Sequence, residues 1–230
     1  MVSELRRTPF NSTTLIRLLA ELTVADVADS KQSFAERLAH WLNWTDAISL
    51  SVALNGSTVK APDGQSGAPS SASSAAKEFA RVRTALANAL AAKGAPAAAP
   101  DYAPYHHHYV SQQRAMEAGI GPLRAQVRSA LADQSPASSR LAALDAVLDD
   151  VLREREHSLL STVPLLLEKH FERLRKAHQE THADTQASDD AWLAMYCKDM
   201  QGVLLAELNL RLQPVEGLLE ALGHESTRPQ

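Results

Sequence analysis

Apolar residues recur at helical spacing along most of this chain, most insistently in its C-terminal half. After Ser135 they fall at Leu141, Leu144, Leu148, Val151, Leu152, Leu159, Leu160, Leu167, Phe171 and Leu174. Ser135-Pro136 is a strong helix start, with serine as the cap and proline at the first position, where a missing N–H is harmless. Run straight to His182, this helix would span roughly 70 Å at 1.5 Å per residue, against about 45 Å for a compact globule of this length. Either the molecule is elongated or the helix breaks. Pro164 offers the break, because an interior proline lacks a donor and clashes with the preceding turn. A second stripe opens at Ser188-Asp189-Asp190 and runs through Leu193, Tyr196, Met200, Leu204, Leu208, Val215, Leu219 and Leu222, widened by Trp192, Val203 and Leu210. A face that broad is covered on more than one side. Pro214 is expected to kink this helix and Gly223 to end it, and the short loop 183–187 makes the two rods antiparallel.

Upstream the periods are shorter. Leu15, Leu18, Leu19 and Leu22 follow the capping run Asn11-Ser12-Thr13. Phe34, Leu38, Trp41, Ile48 and Val52 share one face if a second helix continues through Asn43-Trp44-Thr45, although Thr45-Asp46 could equally cap a fresh helix. Residues 12–54 therefore read as a helical hairpin or three short helices. Residues 55–74 are Gly, Pro, Ser and Ala with little to bury and read as a disordered linker. Phe79, Val82, Leu86 and Leu90 mark a shorter helix stopped at Gly94, followed by a loose connection over 94–104. Tyr105, Tyr109, Met116 and Ile120 line the next, which Gly119-Ile120-Gly121-Pro122 should bend or end. Leu123, Val127 and Leu131 then continue as a separate helix. The expected organisation is a hairpin over 1–54, a linker over 55–74, short helices over 75–134 and a long helical hairpin over 135–230.

Composition supports helix throughout. Of 230 residues 45% are apolar but only 5% aromatic, with leucine and alanine abundant, and these lose little side-chain freedom in a helix. The formal net charge of −4 disfavours a dedicated nucleic-acid binder, since phosphate neutralisation needs clustered Lys and Arg. The single cysteine, Cys197, excludes an internal disulfide and reads as a buried, inert thiol. The opening Met1 to Arg7 has no apolar core of signal-peptide length, and no apolar run approaches a membrane span, so the expected compartment is the cytoplasm.

Candidate chemistry is thin. His106-His107-His108 falls on a helix, where consecutive side chains diverge by about 100° and cannot converge on one ion. His178 and His182 share a helix face, but Gln179 stands where a zincin motif needs glutamate. A bundle metal site built on His170, His178 and His182 would need partner carboxylates, and Glu154 to His157 gives one Glu-x-x-His spacing without a mate. Asp149-Asp150, Asp189-Asp190 and Glu154/Glu156 read as solvated helix faces. No phosphate loop, nucleophile elbow or dinucleotide fingerprint occurs. No catalytic residue, cofactor or metal is assigned. Trp41 and Trp44 pack inside the N-terminal hairpin or anchor a partner, and Leu204, Leu208 and Val215 offer the broadest apolar face for one.

The runs Thr14-Leu-Ile-Arg-Leu-Leu, Gln32-Ser-Phe-Ala-Glu-Arg-Leu, Trp44-Thr-Asp-Ala-Ile-Ser-Leu, Ile120-Gly-Pro-Leu-Arg and Val163-Pro-Leu-Leu-Leu to Phe171-Glu-Arg-Leu-Arg resemble a domain-of-unknown-function family of Gram-negative bacteria. The resemblance brings no catalytic residues. It implies a genomic setting beside stator or TolQ-type proton channels and OmpA-like proteins. The reading is an all-α, elongated bundle built on two long, kinked, antiparallel helices with an N-terminal hairpin. Its expected function is a non-enzymatic cytoplasmic adaptor or scaffold. It would self-associate or dock a helical component of an envelope-spanning, ion-driven assembly. The alternative is a DNA-contacting regulator using Arg6, Arg7, Arg17 and Arg37.

Overall fold

The leucine and alanine content is realised as helix throughout, with no strand among the described residues. The computed structural model describes residues 14–23, 34–55, 69–91, 101–181 and 191–226. Three short helices come first: α1 (Thr14–Thr23), α2 (Phe34–Trp41) and α3 (Trp44–Asn55). Five longer ones follow: α4 (Pro69–Ala91), α5 (Ala103–Ala132), α6 (Pro136–Leu160), α7 (Val163–Thr181) and α8 (Ala191–Ser226).

Residue pairs fix how the rods run. Gln113 meets Leu160 and Arg128 meets Asp145, so α5 and α6 are antiparallel. His178 stacks on Trp192 while His170 bonds Asp199, so α7 and α8 are antiparallel. Tyr105 touches Tyr196 and Glu117 pairs with Arg211, so α5 and α8 are parallel. On α4, Leu86 lies beside Gly119 of α5, and Leu90 and Arg83 pair with Gln201 and Glu216 of α8; α4 therefore runs against both. The result is an up-down-up-down bundle of α4, α5, α6–α7 and α8. Its core is the α5 stripe of Tyr105, Tyr109, Met116, Ile120, Leu123, Val127 and Leu131 against the α8 stripe from Leu193 to Leu222.

The third rod is one long segment divided in two. Ser135 caps α6 as its sequence foretold, its hydroxyl accepting the Ser138 N–H at 3.1 Å with Pro136 next in line. The rod breaks at Ser161-Thr162, just before Pro164, where Thr162 Oγ1 turns back onto the Leu159 carbonyl at 2.6 Å. The end of α6 leaves carbonyls without helical partners, one of which Gln113 of α5 serves, while Tyr102, just before α5, bonds the first turn of α7. Gln113 Nε2 donates to Leu160 O at 3.1 Å and the Tyr102 hydroxyl to Pro164 O at 2.5 Å.

Several expectations change. Gly119 to Pro122 does not interrupt α5, because Pro122 lies on the exposed side and the buried stripe stays in phase across it. Alpha-helix likewise continues through Pro214 in α8. The helix of Phe79 begins at Pro69, inside the expected linker, as alanine has the highest helix propensity and proline suits a first turn; residues 56–68 lie outside the described residues. Of the two readings of residues 12–54, the three short helices are observed, with a fresh helix starting at Trp44. Alpha1 seats on α7 and α8, with Leu15 buried, whereas α3 lies on α6.

Glycine positions give a first test. Gly121 and Gly217 lie on exposed helix faces with open space where a Cβ would stand. Alanine at each is expected to stabilise the protein by about 0.5–1 kcal/mol, read as a higher urea midpoint at unchanged slope.

Candidate partner-binding surface

Alpha3 owes its start to a reciprocal cap. Asn43 Oδ1 accepts the Asp46 N–H at 2.8 Å, and Asp46 Oδ2 accepts the Asn43 N–H at 3.1 Å, which closes a capping box. That cap ends the preceding helix at Trp41 and starts a new one at Trp44, so Ile48 and Val52 leave the phase of Leu38 and Trp41. Alpha3 turns Leu50 and Ala53 inward towards α6 only in part, and none of its residues is fully buried. Its outer face carries Trp44, Ile48 and Val52 at intervals of four residues. Trp44 is 81% exposed, with Ile48 and Val52 exposed beside it and Leu54 just beyond. Among the described residues this is an apolar stripe on the outside of a bundle whose own core is already filled, the kind of patch that marks interaction sites.

Beside the stripe, charge is settled internally. Between α5 and α6, Arg124 grips Asp145 through two bonds of 2.6 and 3.0 Å and reaches Asp149 at 2.8 Å; Arg128 bridges the same two carboxylates at 3.2 and 2.9 Å. Asp150 is paired with Arg153 at 3.3 Å. Of the Asp149-Asp150 pair read as solvated, only Asp150 faces water fully; Asp149 is half-buried in this ladder.

The other partner candidates fall elsewhere. Leu204, Leu208 and Val215 are buried in the chain's own core, covered by α4 and α5. The broad α8 face is thus occupied by this molecule itself, and a partner has no access to those three. Trp41 is half-buried on α2.

Sequence reasoning missed a buried polar cluster. Glu207 on α8 is 0% exposed, and its carboxylate accepts from the Tyr109 hydroxyl (2.7 Å), the Gln113 amide (3.0 and 3.1 Å) and Arg211 Nε (2.9 Å). The Arg211 guanidinium extends outward to Glu156 at 3.1 Å and Glu117 at 3.3 Å. Burial, and after it the Glu207 charge, pushes the Tyr109 phenol far above its ordinary range, so it stays a donor. The signal was present: Gln113 and Glu207 occupy apolar phase positions on two different helices.

The described histidines are not gathered into a ligand set. His106 and His107 project from α5 beside an open groove lined by Asp101 and by Glu168 and Glu172 of α7, and Glu172 is held by Arg175 at 2.6 Å. Burial pushes His108 below the usual histidine range. His178 stacks on Trp192, and His170 is held by Asp199; His182 lies outside the described residues. Among the described residues no three His, Cys, Asp or Glu side chains gather as a metal would require. Cys197 is half-buried, and burial raises its thiol above the usual range. Arg17 is exposed on α1 and Arg37 is half-buried on α2, while Arg6 and Arg7 lie outside the described residues. No helix among the described residues is long and apolar enough to cross a membrane.

Fold and surface together define an all-helical bundle among the described residues, with the buried Glu207 carboxylate satisfied from within and one short helix presenting an apolar face. The chain belongs to the family described as protein of unknown function (DUF3348), whose profile matches residues 1–224. Comparison with curated proteins and with solved structures returns no match.

Proposed function

We propose that the protein is a non-enzymatic adaptor that works by helix–helix association, with α3 as its docking helix. The exposed Trp44–Ile48–Val52 stripe carries this reading. Tryptophan is the residue most enriched among interface hot spots, and a helix-in-groove contact is read from anchors spaced three and four apart. The stripe runs over only about 12 Å of helix axis, so it suits a modest, regulated contact more than a permanent dimer. The contact we propose belongs to a cytoplasmic accessory of an envelope-spanning, ion-driven assembly, the setting implied by the resemblance drawn from the sequence.

Light scattering over a concentration series tests the association itself. The protein is expected to form a dimer or a larger complex. Trp44→Ser combined with Val52→Ser is expected to weaken that association at least tenfold while leaving helix content unchanged, since both side chains are exposed. A strict monomer that also retains no helical partner through Trp44 would overturn the proposal.

A further inference from the structure

The outer stripe of α3 is symmetric about its middle residue. Trp44, Ile48 and Val52 follow one another at equal steps of four residues, so Ile48 stands midway, about 6 Å of helix axis from each neighbour. Turned end for end about Ile48, the stripe falls on itself: Ile48 meets Ile48, and Trp44 meets Val52. A large ring then faces a small β-branched side chain at both ends, the alternation of bulk by which facing helices interdigitate. A parallel pairing would instead set tryptophan on tryptophan at one end and leave the two valines facing across a gap at the other. The inner side of α3 is already taken, with Leu50 and Ala53 turned towards α6.

Charge points the same way. Although 22% of the chain is charged, every exposed residue of α3 is uncharged. Its one charged residue, Asp46, is half-buried, with its carboxylate on the Asn43 N–H at 3.1 Å. Where α3 borders α6, Asp150 and Arg153 pair with each other at 3.3 Å. A basic or acidic partner helix would find no counter-charge on this face to set its register. A second copy meets no like charge there, and a two-fold contact requires that, because each residue faces itself or its symmetry mate.

We propose that the occupant of the stripe is α3 of a second copy, crossing nearly antiparallel about a two-fold axis at Ile48. This rests on the reading of α3 as the docking helix and names what docks there. The antiparallel sense also sets the positive N-terminal end of each helix beside the negative C-terminal end of the other. With Trp44 81%, Ile48 49%, Val52 64% and Leu54 56% exposed, the stripe offers about 500 Å² per copy. The pair buries about 1,000 Å² in all, the lower bound for a specific interface and well under that of an obligate dimer. The dimer is therefore concentration-dependent, and its two tryptophans anchor it.

Disulfide trapping in a Cys197→Ala background tests it, with light scattering on the same samples. Helix axes about 8–10 Å apart bring the two Ile48 Cα atoms within the roughly 7 Å that a disulfide tolerates, whereas the two Val52 residues lie about 12 Å apart along the axis. Ile48→Cys is expected to link into dimers at least tenfold faster than Val52→Cys. Adding Trp44→Ser to Ile48→Cys is expected to remove that advantage. All three positions are exposed, so circular dichroism is expected to show unchanged helix content. Equal linkage at 48 and 52 would overturn the antiparallel pairing, and a Trp44-dependent dimer that links at neither position would overturn the axis at Ile48; both results leave α3 as the docking helix. A monomer at every concentration would overturn the second copy as occupant and leave α3 to a different partner. Rapid linkage of Ile48→Cys that Trp44→Ser does not slow would overturn this pairing and the α3 reading together.

Discussion

Replacing Arg211 by methionine is expected to destabilise the fold by about 3–5 kcal/mol, the usual cost of removing one partner from a buried ion pair. Glu207 is wholly buried and Arg211 nearly so, with the carboxylate and Nε 2.9 Å apart. Without the guanidinium, the carboxylate would keep only the neutral donors Tyr109 and Gln113 in a low-dielectric interior. Against a total stability of about 5–15 kcal/mol this is a large fraction, and it corresponds to a fall in melting temperature of about 6–20 °C for a chain of this size. Urea denaturation measures it directly. Adding Glu207→Gln to the Arg211→Met background is expected to recover most of the loss, because the amide needs no counter-charge and can still accept from Tyr109. A cost below about 1 kcal/mol for Arg211→Met would mean that the guanidinium is not what stabilises the carboxylate.

That cluster also shows where the sequence could be read and where it could not. Phase was legible: every residue of the Tyr105–Ile120 stripe is buried, and so is its continuation through Leu123, Val127 and Leu131. Continuity was not. Gly119, Gly121 and Pro122 carry the local signals of a helix end, yet packing against α8 outweighs about 1 kcal/mol per glycine, and the proline faces outward. The break before Pro164 and the Ser135 cap were legible because each rests on a single local rule. The start of α4 was not, since its alanine- and serine-rich first turns resemble a linker until a neighbouring helix covers them. Partner choice was the largest gap. Periodicity says that a stripe is covered, but not by what, so the α8 face assigned to another protein is covered by α4 and α5 of this one. The Asn43-x-x-Asp46 spacing was a readable capping box, and reading it would have moved Trp44, Ile48 and Val52 outward.

Phe171→Ala is the second large effect expected, again about 3–5 kcal/mol, the range for deleting a fully buried aromatic ring. Phe171 is the ring on which three helices converge. Its centroid lies 5.6 Å from Tyr105 and 5.8 Å from Tyr102 at the start of α5, and 5.1 Å from Tyr196 and 5.3 Å from Trp192 on α8. All four pairs meet edge to face or tilted, and none is a face-to-face sandwich, which aromatic quadrupoles disfavour. The hydroxyls contribute less than the rings. Tyr196 Oη lies beside the Tyr102 phenol, near enough for each to influence the other's ionisation, but makes no well-formed hydrogen bond. Tyr196→Phe is therefore expected to be neutral or slightly stabilising, because it removes a buried hydroxyl that gains little from folding. Leu165→Ala, on the exposed side of α7, is expected to change stability by less than about 0.5 kcal/mol. Urea midpoints of the three variants separate ring packing from polar bonding: a small loss for Phe171→Ala together with a large one for Tyr196→Phe would mean that the hydroxyls, not the rings, join α5 to α7 and α8.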